Sequence, residues 1–588
     1  MPLTARASLS PMRILLLAHS FNSLTQRLFA ELAARGHDLS VEFDIADSVT
    51  EEAVSLFRPD VVLAPYLKRA IPEAVWRQVV CLVVHPGIEG DRGPSALDWA
   101  ISKGEVSWGV TVLQANAEMD AGDVWASVEF PMRAARKSSL YRFEVTEAAL
   151  RAVLLALDRL FLPGFRPQPL DYGRRDLRGR PQPPMRQADR RIDWERDDMA
   201  TVIAKIRAAD GDPGLLDEVE GLPCYLYDAH PEATLRGVAP GSLIARRAGA
   251  ILRATRDGAV WITHLRLAGG PGPGRCKLPA TMVLGARADE LPEAPVDDFS
   301  PADCSTWHDL WYEEDGTVAY LHFDFYNGAM STGQCERLRR AFAQATRRPT
   351  RVIVLMGGQD FWSNGIDLNV IEAAESPADE SWRNINAIDD VALALLTCGS
   401  HLTVAALQGN TAAGGVFLAL AADQVWARDG AVLNPHYKNM GNLYGSEYWS
   451  YSLPRRLGWE AGQRIMQRRF PLLAREAAKV GLIDACLGTE GSFVDEVRAR
   501  ARALAADPGL AALLADKSER RASDERLRPL AAHRAEELAR MQRNFYGFDS
   551  SYHIARYNFV NKIPHSWTPR HLALHRSGNC FASPEAAA

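Results

Sequence analysis

The chain has 588 residues, of which 47% are hydrophobic and 24% are charged. This length is about four times the roughly 150 residues of a typical domain, which excludes one small module and predicts three or four packed units. The 67 Lys and Arg against 73 Asp and Glu give a net charge of −6, and no polybasic arm is present. Neither a nucleic acid nor a membrane is therefore expected as a partner, and small molecules are.

The cysteine pattern argues against both a metal site and a disulfide framework. The eight cysteines form no CxxC pair and no Cys/His cluster with the spacing of a zinc site. A reducing cytoplasm is the predicted location. The apolar run Ile14 to Ala18 is too short for the core of a signal peptide, so export is not expected. The cysteines are Cys81, Cys224, Cys276, Cys304, Cys335, Cys398, Cys486 and Cys580.

Short apolar runs alternate with amphipathic stretches in the first part of the chain. This alternation predicts βαβ units with a parallel sheet, that is, a Rossmann-like layer in an α/β protein. A helix with Ser138-Ser139 as its N-cap pair follows, and Pro163 and Gly164 end it. The predicted strands are Met12 to Ala18, Leu39 to Ile45, Asp60 to Ala64, Val79 to Val84 and Trp108 to Leu113.

A linker and a small β-rich domain come next. Six prolines between Pro163 and Pro184 predict an extended linker, because proline lacks the amide donor and restricts the residue before it. After a predicted helix over Met199 to Ala209, short strands broken by Gly and Pro indicate a small β-barrel of the OB type. Those strands are Gly241 to Ala245, Ala250 to Ala254 and Val260 to Leu265.

A second α/β unit is predicted after an acidic linker over Asp289 to Asp303. It begins with the strands Val318 to Phe325 and Arg351 to Met356. The uncharged run Val391 to Ala422 is interrupted by polar turns, so it predicts a buried strand and a buried helix instead of a membrane span. The predicted boundaries are 10–163, linker 164–191, 192–288, linker 289–302, 303–517, and a helical C-terminal extension over 518–588.

A first candidate site lies at the end of the strand Cys81 to Val84. His85 follows directly, and loops at the carboxyl ends of strands line the ligand crevice of an open α/β sheet. An imidazole at this place suits proton transfer. Asp120 follows the next predicted strand and can orient the imidazole and stabilise its protonated form. Taken alone, a single His and a single Asp in such loops are more often solvated residues than catalytic ones.

The order of motifs around these residues resembles the 10-formyltetrahydrofolate-dependent formyltransferases, over roughly residues 10 to 285. The resemblance implies that His85 is the general base with Asp120 as its partner, and that Asn22, Arg92 and Gly93 help to bind the formyl donor. The matching segments are His85-Pro86, Arg92-Gly93, Trp99-Ala100-Ile101, Gly109-Val110-Thr111, Met119 to Gly122, Ile192-Asp193-Trp194 and Ile206-Arg207-Ala208.

Two positions depart from that family's pattern. Val83 stands where the family has an Asn that polarises the formyl carbonyl, and Gly87 stands where it has a Ser. Valine cannot donate a hydrogen bond, and losing one oxyanion donor costs about 2.7–4 kcal/mol of transition-state stabilisation. Either the acceptor is a better nucleophile than an amine, such as a thiol, or another polar group such as Asn22 or Gln26 substitutes. A domain that binds folate without catalysis is the third alternative.

A second candidate site consists of two glycine-rich turns after neighbouring strands. Phe361 to Leu368 follows the strand Val352 to Met356, and Leu407 to Gly415 follows Leu402 to Ala406. Such turns leave backbone N–H groups free to bind one carbonyl oxygen. Together with three later motifs they resemble the crotonase (enoyl-CoA hydratase/isomerase) superfamily over about residues 303 to 515. The later motifs are Ala421-Ala422-Asp423, Asn434-Pro435-His436 and Ala477 to Asp484.

The crotonase resemblance implies an oxyanion hole made by the N–H groups of Ile366 and Gly414, with Gly365 and Gly415 in the turns that bind coenzyme A. The two glutamates of the hydratases are missing, because their positions match Phe417 and His436, so hydration is not expected. Glu447 is the preferred acid/base, with Tyr437 beside it and His436 in the same loop. The alternative is that Tyr437 is a core aromatic and Glu447 a charge in the first turn of a helix.

The two resemblances together predict a shared intermediate, formyl-CoA. Its formation from 10-formyltetrahydrofolate and coenzyme A, followed by loss of carbon monoxide, uses both halves of the chain. With the C-terminal tail, the whole resembles the hydrogenase maturation proteins of the HypX (HoxX) type, which implies supply of carbon monoxide to a NiFe-hydrogenase and other maturation proteins as candidate partners.

Two alternatives to this function stay open. One is an amine formyltransferase of the sugar-nucleotide type fused to an acyl-CoA hydrolase or isomerase. The other is a non-catalytic scaffold that binds folate and coenzyme A. The aromatic tail over Phe545 to Asn558 either caps the coenzyme A site or packs against the second α/β unit, and packing is favoured.

Overall fold

The computed structural model describes residues 11–237, 239–269, 275–299, 305–489 and 491–577. The chain forms two compact units. The first consists of Met1–Arg190, Arg207–Asp212 and Pro564–Ala588, and the second of Arg191–Ile206 and Pro213–Ile563.

The first unit contains one six-stranded sheet in the order β2-β1-β3-β4-β5-β6. Strands β2, β1, β3 and β4 run parallel, whereas β5 is antiparallel to β4, and β6 to β5. The strands are β1 Arg13–Ala18, β2 Asp38–Phe43, β3 Val61–Tyr66, β4 Cys81–His85, β5 Ser107–Gln114 and β6 Val124–Pro131. The helices are α1 Ser23–Ala34, α2 Asp47–Phe57, α3 Glu73–Trp76, α4 Ala96–Ser102, α5 Lys137–Leu140, a π-helix Tyr141–Val145, α6 Thr146–Leu160 and α7 Gln187–Arg190.

All five strands predicted here are present, but the expectation of a wholly parallel sheet is wrong. Strand β6 was missed, and residues 115–123 join it to β5 as an antiparallel pair. Such a short connection cannot make the crossover of about a dozen residues that a parallel pair requires. The expected N-cap pair Ser138-Ser139 lies inside α5, because the π-helix joins α5 and α6 and moves the start to Arg136.

The proline-rich segment 163–184 has no helix, as predicted, and lies along the first unit. It forms isolated bridges from Val124 to Gln168 and from Arg92 to Pro181. The indole N–H of Trp99 donates to the Pro183 carbonyl at 2.8 Å. Backbone hydrogen bonds and side-chain contacts therefore fix much of this linker in place.

The segment 564–577 also belongs to the first unit, although it follows the C-terminal helices in sequence. It covers the edge strand β2. The Val41 N–H donates to the Leu572 carbonyl at 2.9 Å, and the Phe43 N–H donates to the Thr568 hydroxyl at 2.8 Å. Buried Glu42 accepts hydrogen bonds from His575 and Arg576. This end of the predicted helical extension therefore packs on β2, and its regular structure is one 3-10 turn.

The second unit begins with helix α8 Met199–Ala208, most of which it contains, and an antiparallel six-stranded sheet. The sheet order is β7-β8-β11-β10-β9, with β12 paired to β11. The elements are β7 Leu215–Val219, β8 Leu222–Glu232, β9 Leu243–Arg247, β10 Ala250–Ala254, β11 Ala259–Leu267, β12 Leu278–Pro279, α9 Ala280–Leu284 and α10 Ala286–Asp289. The predicted helix, the three predicted strands and the β-rich domain are confirmed. Residues 300–303 of the predicted acidic linker lie outside the described residues.

The rest of the second unit is an α/β fold with two sheets, β13-β14-β15-β17-β19-β22 and β16-β18-β20-β21. The strands are β13 Leu310–Asp315, β14 Val318–Phe323, β15 Val352–Gly357, β16 Phe361–Ser363, β17 Leu402–Leu407, β18 Asn410–Ala412, β19 Gln424–Arg428, β20 Val432–Asn434, β21 Leu472–Leu473 and β22 Ala485–Leu487. The helices are α11 Thr332–Ala345, α12 Leu368–Ala373, α13 Pro377–Leu396, α14 Gly414–Leu420, α15 Trp449–Leu457, α16 Trp459–Gln467, α17 Ala474–Lys479, α18 Phe493–Ala506, α19 Leu510–Leu527, α20 Leu530–Tyr546 and α21 Ser551–Val560, with a 3-10 turn at Tyr326–Gly328.

The buried strand and helix predicted over Val391 to Ala422 are β17 and α14, both fully buried. The helical extension starts at Leu510, before the predicted Ser518. Its Phe545 and Tyr552 belong to the same apolar core as α14, and the Tyr552 hydroxyl lies 2.7 Å from that of Ser381. Packing against the α/β fold is therefore confirmed for this part of the tail.

Helices that combine the length and the apolar character needed to cross a bilayer are absent from the described ranges. Six cysteines fall within these ranges, and all six are free thiols. Cys304 and Cys580 lie outside them.

Candidate active sites

His85 is the last residue of β4, and its imidazole is held between two aspartates. Its Nε2 lies 2.8 Å from a carboxylate oxygen of Asp91, and its Nδ1 lies 3.6 Å from one of Asp120. His85 and Asp91 are both buried. The structure thus brings the predicted pair His85 and Asp120 together and adds a nearer partner that the sequence did not reveal.

The shorter contact decides how this imidazole can work. A neutral imidazole has one N–H donor and one bare nitrogen, and a carboxylate accepts hydrogen bonds. Asp91 at 2.8 Å therefore favours the proton on Nε2 and leaves Nδ1 to take a proton from a substrate. Asp120, on the Nδ1 side, can stabilise the imidazolium that results. Asp91 thus takes the orienting role that was expected of Asp120.

Gly87 explains how Asp91 reaches the imidazole. A Cβ atom at Gly87 would lie 2.4 Å from His85 Nε2 and 2.5 Å from the Asp91 carboxylate. The turn between them contains Gly90 with a φ of 88°, a left-handed conformation that glycine adopts without strain. The departure from the family Ser at this position therefore makes room for the His85–Asp91 pair.

The two residues named as possible substitutes for the missing family Asn form hydrogen bonds at the start of α1. Asn22 is the N-cap of α1, and its side-chain oxygen accepts from the Thr25 N–H and hydroxyl at 3.0 Å each. The Gln26 amide donates to the Phe21 carbonyl at 2.9 Å. The use of either side chain as a substitute for the donor missing at Val83 stays a prediction.

Arg92 and Gly93 hold the loops of this site together. Arg92 donates to the Glu118 carboxylate at 2.7 Å and to the Met119 carbonyl at 3.1 Å, directly before Asp120. Gly93 has a φ of 113°, and a Cβ there would lie 2.4 Å from the Gln182 carbonyl oxygen. Both residues thus shape the site, and their contact with a formyl donor stays a prediction.

A cavity of about 280 Å³ adjoins Asp91. Trp99, Trp108, Lys103 and Arg180 are among its lining residues. Aromatic surfaces with a few placed polar groups are typical of small-molecule sites, and cations suit an anionic ligand. The carboxylates of Asp91 and Glu105 line the cavity as well, so its charge is mixed, while the aromatic surfaces fit a flat molecule.

The second site lies in the second unit, where the two predicted turns meet. Strands β16 and β18 pair in parallel, so the turns that follow them are neighbours. A Cβ atom at Gly365 would lie 3.3 Å from the backbone of Gly414, and one at Gly415 would lie 2.1 Å from the Ser363 carbonyl oxygen. The glycines therefore allow the close approach that an oxyanion hole requires.

The two expected N–H donors are available. Gly414 opens α14, so its N–H has no acceptor within the helix. In the part of the chain that the structure describes, neither this N–H nor that of Ile366 donates to another group. Ala413 precedes Gly414 with a φ of 47°, a conformation that is rare for a residue with a side chain. The arrangement can bind one carbonyl oxygen.

Tyr437 and Glu447 converge on the same place. The Tyr437 hydroxyl donates a short hydrogen bond to the Glu447 carboxylate. A Cβ atom at Gly414 would lie 2.2 Å from the other carboxylate oxygen of Glu447. Glu447 is 1% exposed and lies two residues before α15, so it is not a solvated charge in a helical first turn. This placement supports the interpretation of Glu447 as an acid/base with Tyr437 beside it.

Burial shapes the acid–base chemistry of the pair. Burial and, after it, the negative charge of Asp389 raise the pKa of Glu447 to about 8. Burial and the charge of Glu447 raise the pKa of Tyr437 well above its usual value. Tyr437 is thus a permanent hydrogen-bond donor, and Glu447 can exchange a proton near neutral pH.

Phe417 and His436 stand where the hydratase glutamates were expected. Phe417 is fully buried and stacks on the Tyr437 ring, with centroids 5.1 Å apart and planes 18° apart. His436 is buried, and its predicted catalytic role stays a prediction.

Comparisons with known proteins find relatives of both halves of the chain. Residues 37–157 match the formyl transferase family, residues 184–272 its C-terminal domain, and residues 313–570 the enoyl-CoA hydratase/isomerase family. The hydrogenase maturation factor HoxX of Bradyrhizobium diazoefficiens is 55% identical over 566 residues, which cover 96% of this chain and 97% of that protein.

Similarity extends to solved structures. The crystal structure of HypX from Aquifex aeolicus in complex with tetrahydrofolic acid has 49% sequence identity and a TM-score of 0.93, and covers 96% of this chain and 99% of that one. A methionyl-tRNA formyltransferase of Dechloromonas aromatica is 30% identical over 182 residues, which cover 30% of this chain and 55% of that protein. The first two similarities therefore span both halves of the chain.

Proposed function

The chain belongs to the HypX/HoxX family of hydrogenase maturation factors, and from this membership we propose that it makes carbon monoxide in two steps. In the first step the formyl group of 10-formyltetrahydrofolate passes to the thiol of coenzyme A. In the second step formyl-CoA breaks into carbon monoxide and coenzyme A. The carbon monoxide then becomes a ligand in the active site of a NiFe-hydrogenase, with other maturation proteins as candidate partners.

The first step uses His85. Its Nδ1 takes the thiol proton of coenzyme A, the thiolate attacks the formyl carbon, the carbon–nitrogen bond to the folate breaks, and the proton passes to that nitrogen. Asp91 holds the Nε2–H, and Asp120 stabilises the imidazolium. A thiol acceptor suits this site, because Val83 supplies no hydrogen bond to the formyl oxygen and a thiolate is a stronger nucleophile than an amine.

The folate part of this proposal draws on a relative. The HypX structure from Aquifex aeolicus contains tetrahydrofolic acid. In this chain, the aromatic side chains that line the cavity beside Asp91 support binding of a molecule of that kind, because flat rings pack on such surfaces. The six free thiols are consistent with action in a reducing cytoplasm.

The second step uses Glu447 and the oxyanion donors. The main support for the proposal is that the Glu447 carboxylate lies directly against Gly414. The N–H groups of Ile366 and Gly414 bind the thioester oxygen. The Glu447 carboxylate takes the proton from the formyl carbon, the carbon–sulfur bond breaks, carbon monoxide leaves, and the proton is returned to the thiolate. Tyr437 orients the carboxylate throughout.

An alternative for the second half is hydrolysis or isomerisation of an unrelated acyl-CoA, joined to an amine formyltransferase. The carboxylate pair that activates water in a hydratase is replaced by Phe417 and His436, which favours the decarbonylation. A scaffold without catalysis is disfavoured by the buried His85–Asp91 and Tyr437–Glu447 pairs, since buried titratable groups of this kind are typical of active sites.

The direct test mixes the purified protein with formyl-labelled 10-formyltetrahydrofolate and coenzyme A, with a reduced haem protein as the trap for carbon monoxide. We expect labelled carbon monoxide bound to the haem and one tetrahydrofolate for each carbon monoxide. Omission of coenzyme A should stop both products. Tetrahydrofolate release with formate as the sole labelled product, under strictly anaerobic conditions, would contradict the proposal.

A further inference from the structure

Glu447 reaches the oxyanion donors through an unusual backbone. Glu447 has a φ of 60° and Tyr448 a φ of 58°, so two consecutive residues with side chains adopt the left-handed conformation. L-residues rarely do so, and such a conformation persists where the surrounding structure enforces it. Gly445, just before, has a φ of 92°, and a Cβ there would lie 2.0 Å from the Tyr437 ring. Contacts from other elements must therefore hold the segment from Gly445 to Ser450 in this conformation.

Two buried carboxylates provide these contacts as hydrogen-bond acceptors. Asp389 on α13 accepts from the Ser446 hydroxyl at 2.7 Å and from the Glu447 N–H at 2.8 Å. Glu537 on α20 accepts from the Tyr448 N–H at 3.0 Å and from the Ser450 N–H at 2.8 Å. Both carboxylates are fully buried. Successive backbone donors of the loop are therefore fixed from two different helices.

The position of Asp389 also affects the charge on Glu447. Burial raises the pKa of Asp389 to about 6, and burial together with the Asp389 charge raises that of Glu447 to about 8. Burial raises the pKa of Glu537 well above its usual value. The guanidinium of Arg534 faces Asp389 at 3.7 Å and favours the negative charge of the cluster on that carboxyl group.

The remaining titratable groups around Glu447 do not provide an equivalent negative charge at close range. Asp390, next to Asp389 on α13, points to Arg534 at 2.6 Å and is half exposed. The other groups that face the cluster are Cys335 on α11, Tyr437 and Tyr448 near the loop, and His533 on α20. Asp389 is therefore the buried anion that bonds directly to the Glu447 backbone.

We propose that Asp389 is a positioning residue for Glu447: its hydrogen bonds hold Glu447 in the left-handed conformation that faces Tyr437 and Gly414, and its charge opposes ionisation of the Glu447 carboxyl group. The inference rests on the proposed role of Glu447 in decarbonylation. It adds that a residue on a separate helix, outside contact with the substrate, sets both the geometry and the proton affinity of the acid/base.

The test is Asp389→Asn in the full chain, with Asp390→Asn as the matched control on the same helix. Asparagine keeps an oxygen acceptor for the Glu447 N–H and removes the charge. We expect the protonation midpoint of Glu447, followed by infrared spectroscopy of its protonated carboxyl group and assigned by its loss in Glu447→Gln, to fall by about one pH unit or more, a roughly ten-fold loss of proton affinity. The midpoint in Asp390→Asn should stay where it is in the wild type.

The infrared midpoint separates this inference from the proposed function, because it is measured without turnover. If the wild type makes no carbon monoxide, the proposed function fails, while a shifted midpoint still supports Asp389. An unshifted midpoint in a folded Asp389→Asn protein overturns the inference whatever the activity. In an active protein, the pH profile of carbon monoxide formation should shift by the same amount as the infrared midpoint.

The wild type alone decides the matter if Asp389→Asn does not fold. Two separate carboxyl titrations are then expected, near pH 6 for Asp389 and near pH 8 for Glu447. A single titration of both groups at the ordinary acidic pH of a carboxyl overturns the inference. The assignment again uses Glu447→Gln.

Discussion

His85 and Asp91 lie 2.8 Å apart, nitrogen to oxygen, and six positions apart along the chain. The carboxylate returns to the imidazole through the left-handed turn at Gly90, in the space left by Gly87. A buried carboxylate on one ring nitrogen makes the other nitrogen the proton acceptor. This relationship predicts how the first step should respond to substitution.

Formyl transfer should depend on His85 and on both aspartates. His85→Ala removes the base, and general-base catalysis contributes about 10²–10⁴-fold, so tetrahydrofolate release should fall by that factor. Asp91→Asn and Asp120→Asn should each slow it about ten-fold or more while coenzyme A still binds. The measurement is tetrahydrofolate release in a stopped assay, with exposed Asp38→Asn as the control. Wild-type rates in the Asp91 variant would show that its contact with His85 does not matter for transfer.

Gly87→Ser should lose formyl transfer although it restores the family residue. The added Cβ would lie within 2.4–2.5 Å of both His85 and Asp91, so the pair must separate. Gly87 is buried, so the overpacking should also lower the stability of the protein by about 1–3 kcal/mol. Tetrahydrofolate release by the folded variant should drop by at least about ten-fold. Gly333→Ala is the control, because a Cβ there meets nothing within 4 Å. Full activity in Gly87→Ser would contradict the role given to this glycine.

The second site should not hydrate an enoyl thioester. Phe417 and Tyr437 stack over the region where one hydratase carboxylate was expected, and water activation needs that carboxylate. Crotonyl-CoA incubated with the protein should keep the ultraviolet absorbance of its conjugated thioester. A robust loss of that absorbance, with 3-hydroxybutyryl-CoA as the product, would show that the assignment of the second step is wrong.

Glu447→Gln should separate the two steps. Glutamine keeps the shape of the side chain and the Tyr437 contact but cannot accept the formyl proton. Tetrahydrofolate release should continue, carbon monoxide should disappear, and formyl-CoA or its hydrolysis product formate should accumulate. Exposed Glu460→Gln, at the start of α16, is the control. Carbon monoxide at the wild-type yield would remove Glu447 from the mechanism.

Carbon monoxide formation should rise with pH. The carboxylate form of Glu447 accepts the proton, and burial with the nearby charge of Asp389 raises its pKa to about 8, so the rate should increase through that pH. The Tyr437 hydrogen bond stabilises the carboxylate and lowers this pKa, so Tyr437→Phe should move the midpoint to higher pH. The pH profile of single-turnover carbon monoxide release measures both effects. A midpoint that moves to lower pH in Tyr437→Phe would refute this use of the hydroxyl.

Glu42→Gln should destabilise the first unit. Although burial opposes it, hydrogen bonds from His575, Thr568 and Arg576 lower the pKa of Glu42. Because its folded pKa is lowered, the stabilisation is present above the usual carboxyl pKa and lost as the pH falls through the lowered value. At neutral pH the loss should be about 1–3 kcal/mol by calorimetry, and it should shrink in acid. Glu52→Gln, an exposed partner of Arg576, should change stability by less than about 0.5 kcal/mol.

The sequence predicted half of the strands and the candidate site residues that lie in local patterns. Apolar runs predicted β1 to β5, motif order predicted His85, Asp120 and Gly414, and Glu447 is the carboxylate of the stretch after Pro435. One residue that the sequence analysis missed lies far along the chain from the residue it contacts, so no local pattern predicts the contact. Asp389 lies 58 positions before Glu447, on an amphipathic helix where an acidic residue usually faces solvent.

Asp91 and β6 were missed for different reasons. Asp91 belonged to a quoted motif, but its contact with His85 depends on the backbone at Gly90 and on the space at Gly87. Strand β6 is partly exposed and mixes polar with apolar residues, so its sequence lacks the apolar run that marked the buried strands. Both the His85–Asp91 contact and the pairing of β6 therefore depend on tertiary contacts.

The cover that residues 564–577 place on β2 has a consequence for biosynthesis. The Ser40 hydroxyl meets His575, 535 positions later in the chain. At about 5–20 residues per second, a ribosome needs about half a minute or more to make the intervening chain. During that interval the nascent sheet has an unpaired strand edge, which is a template for mispairing with other chains. The first unit to emerge is therefore the last to be completed, and ribosomes that stall late should release chains prone to aggregate through β2.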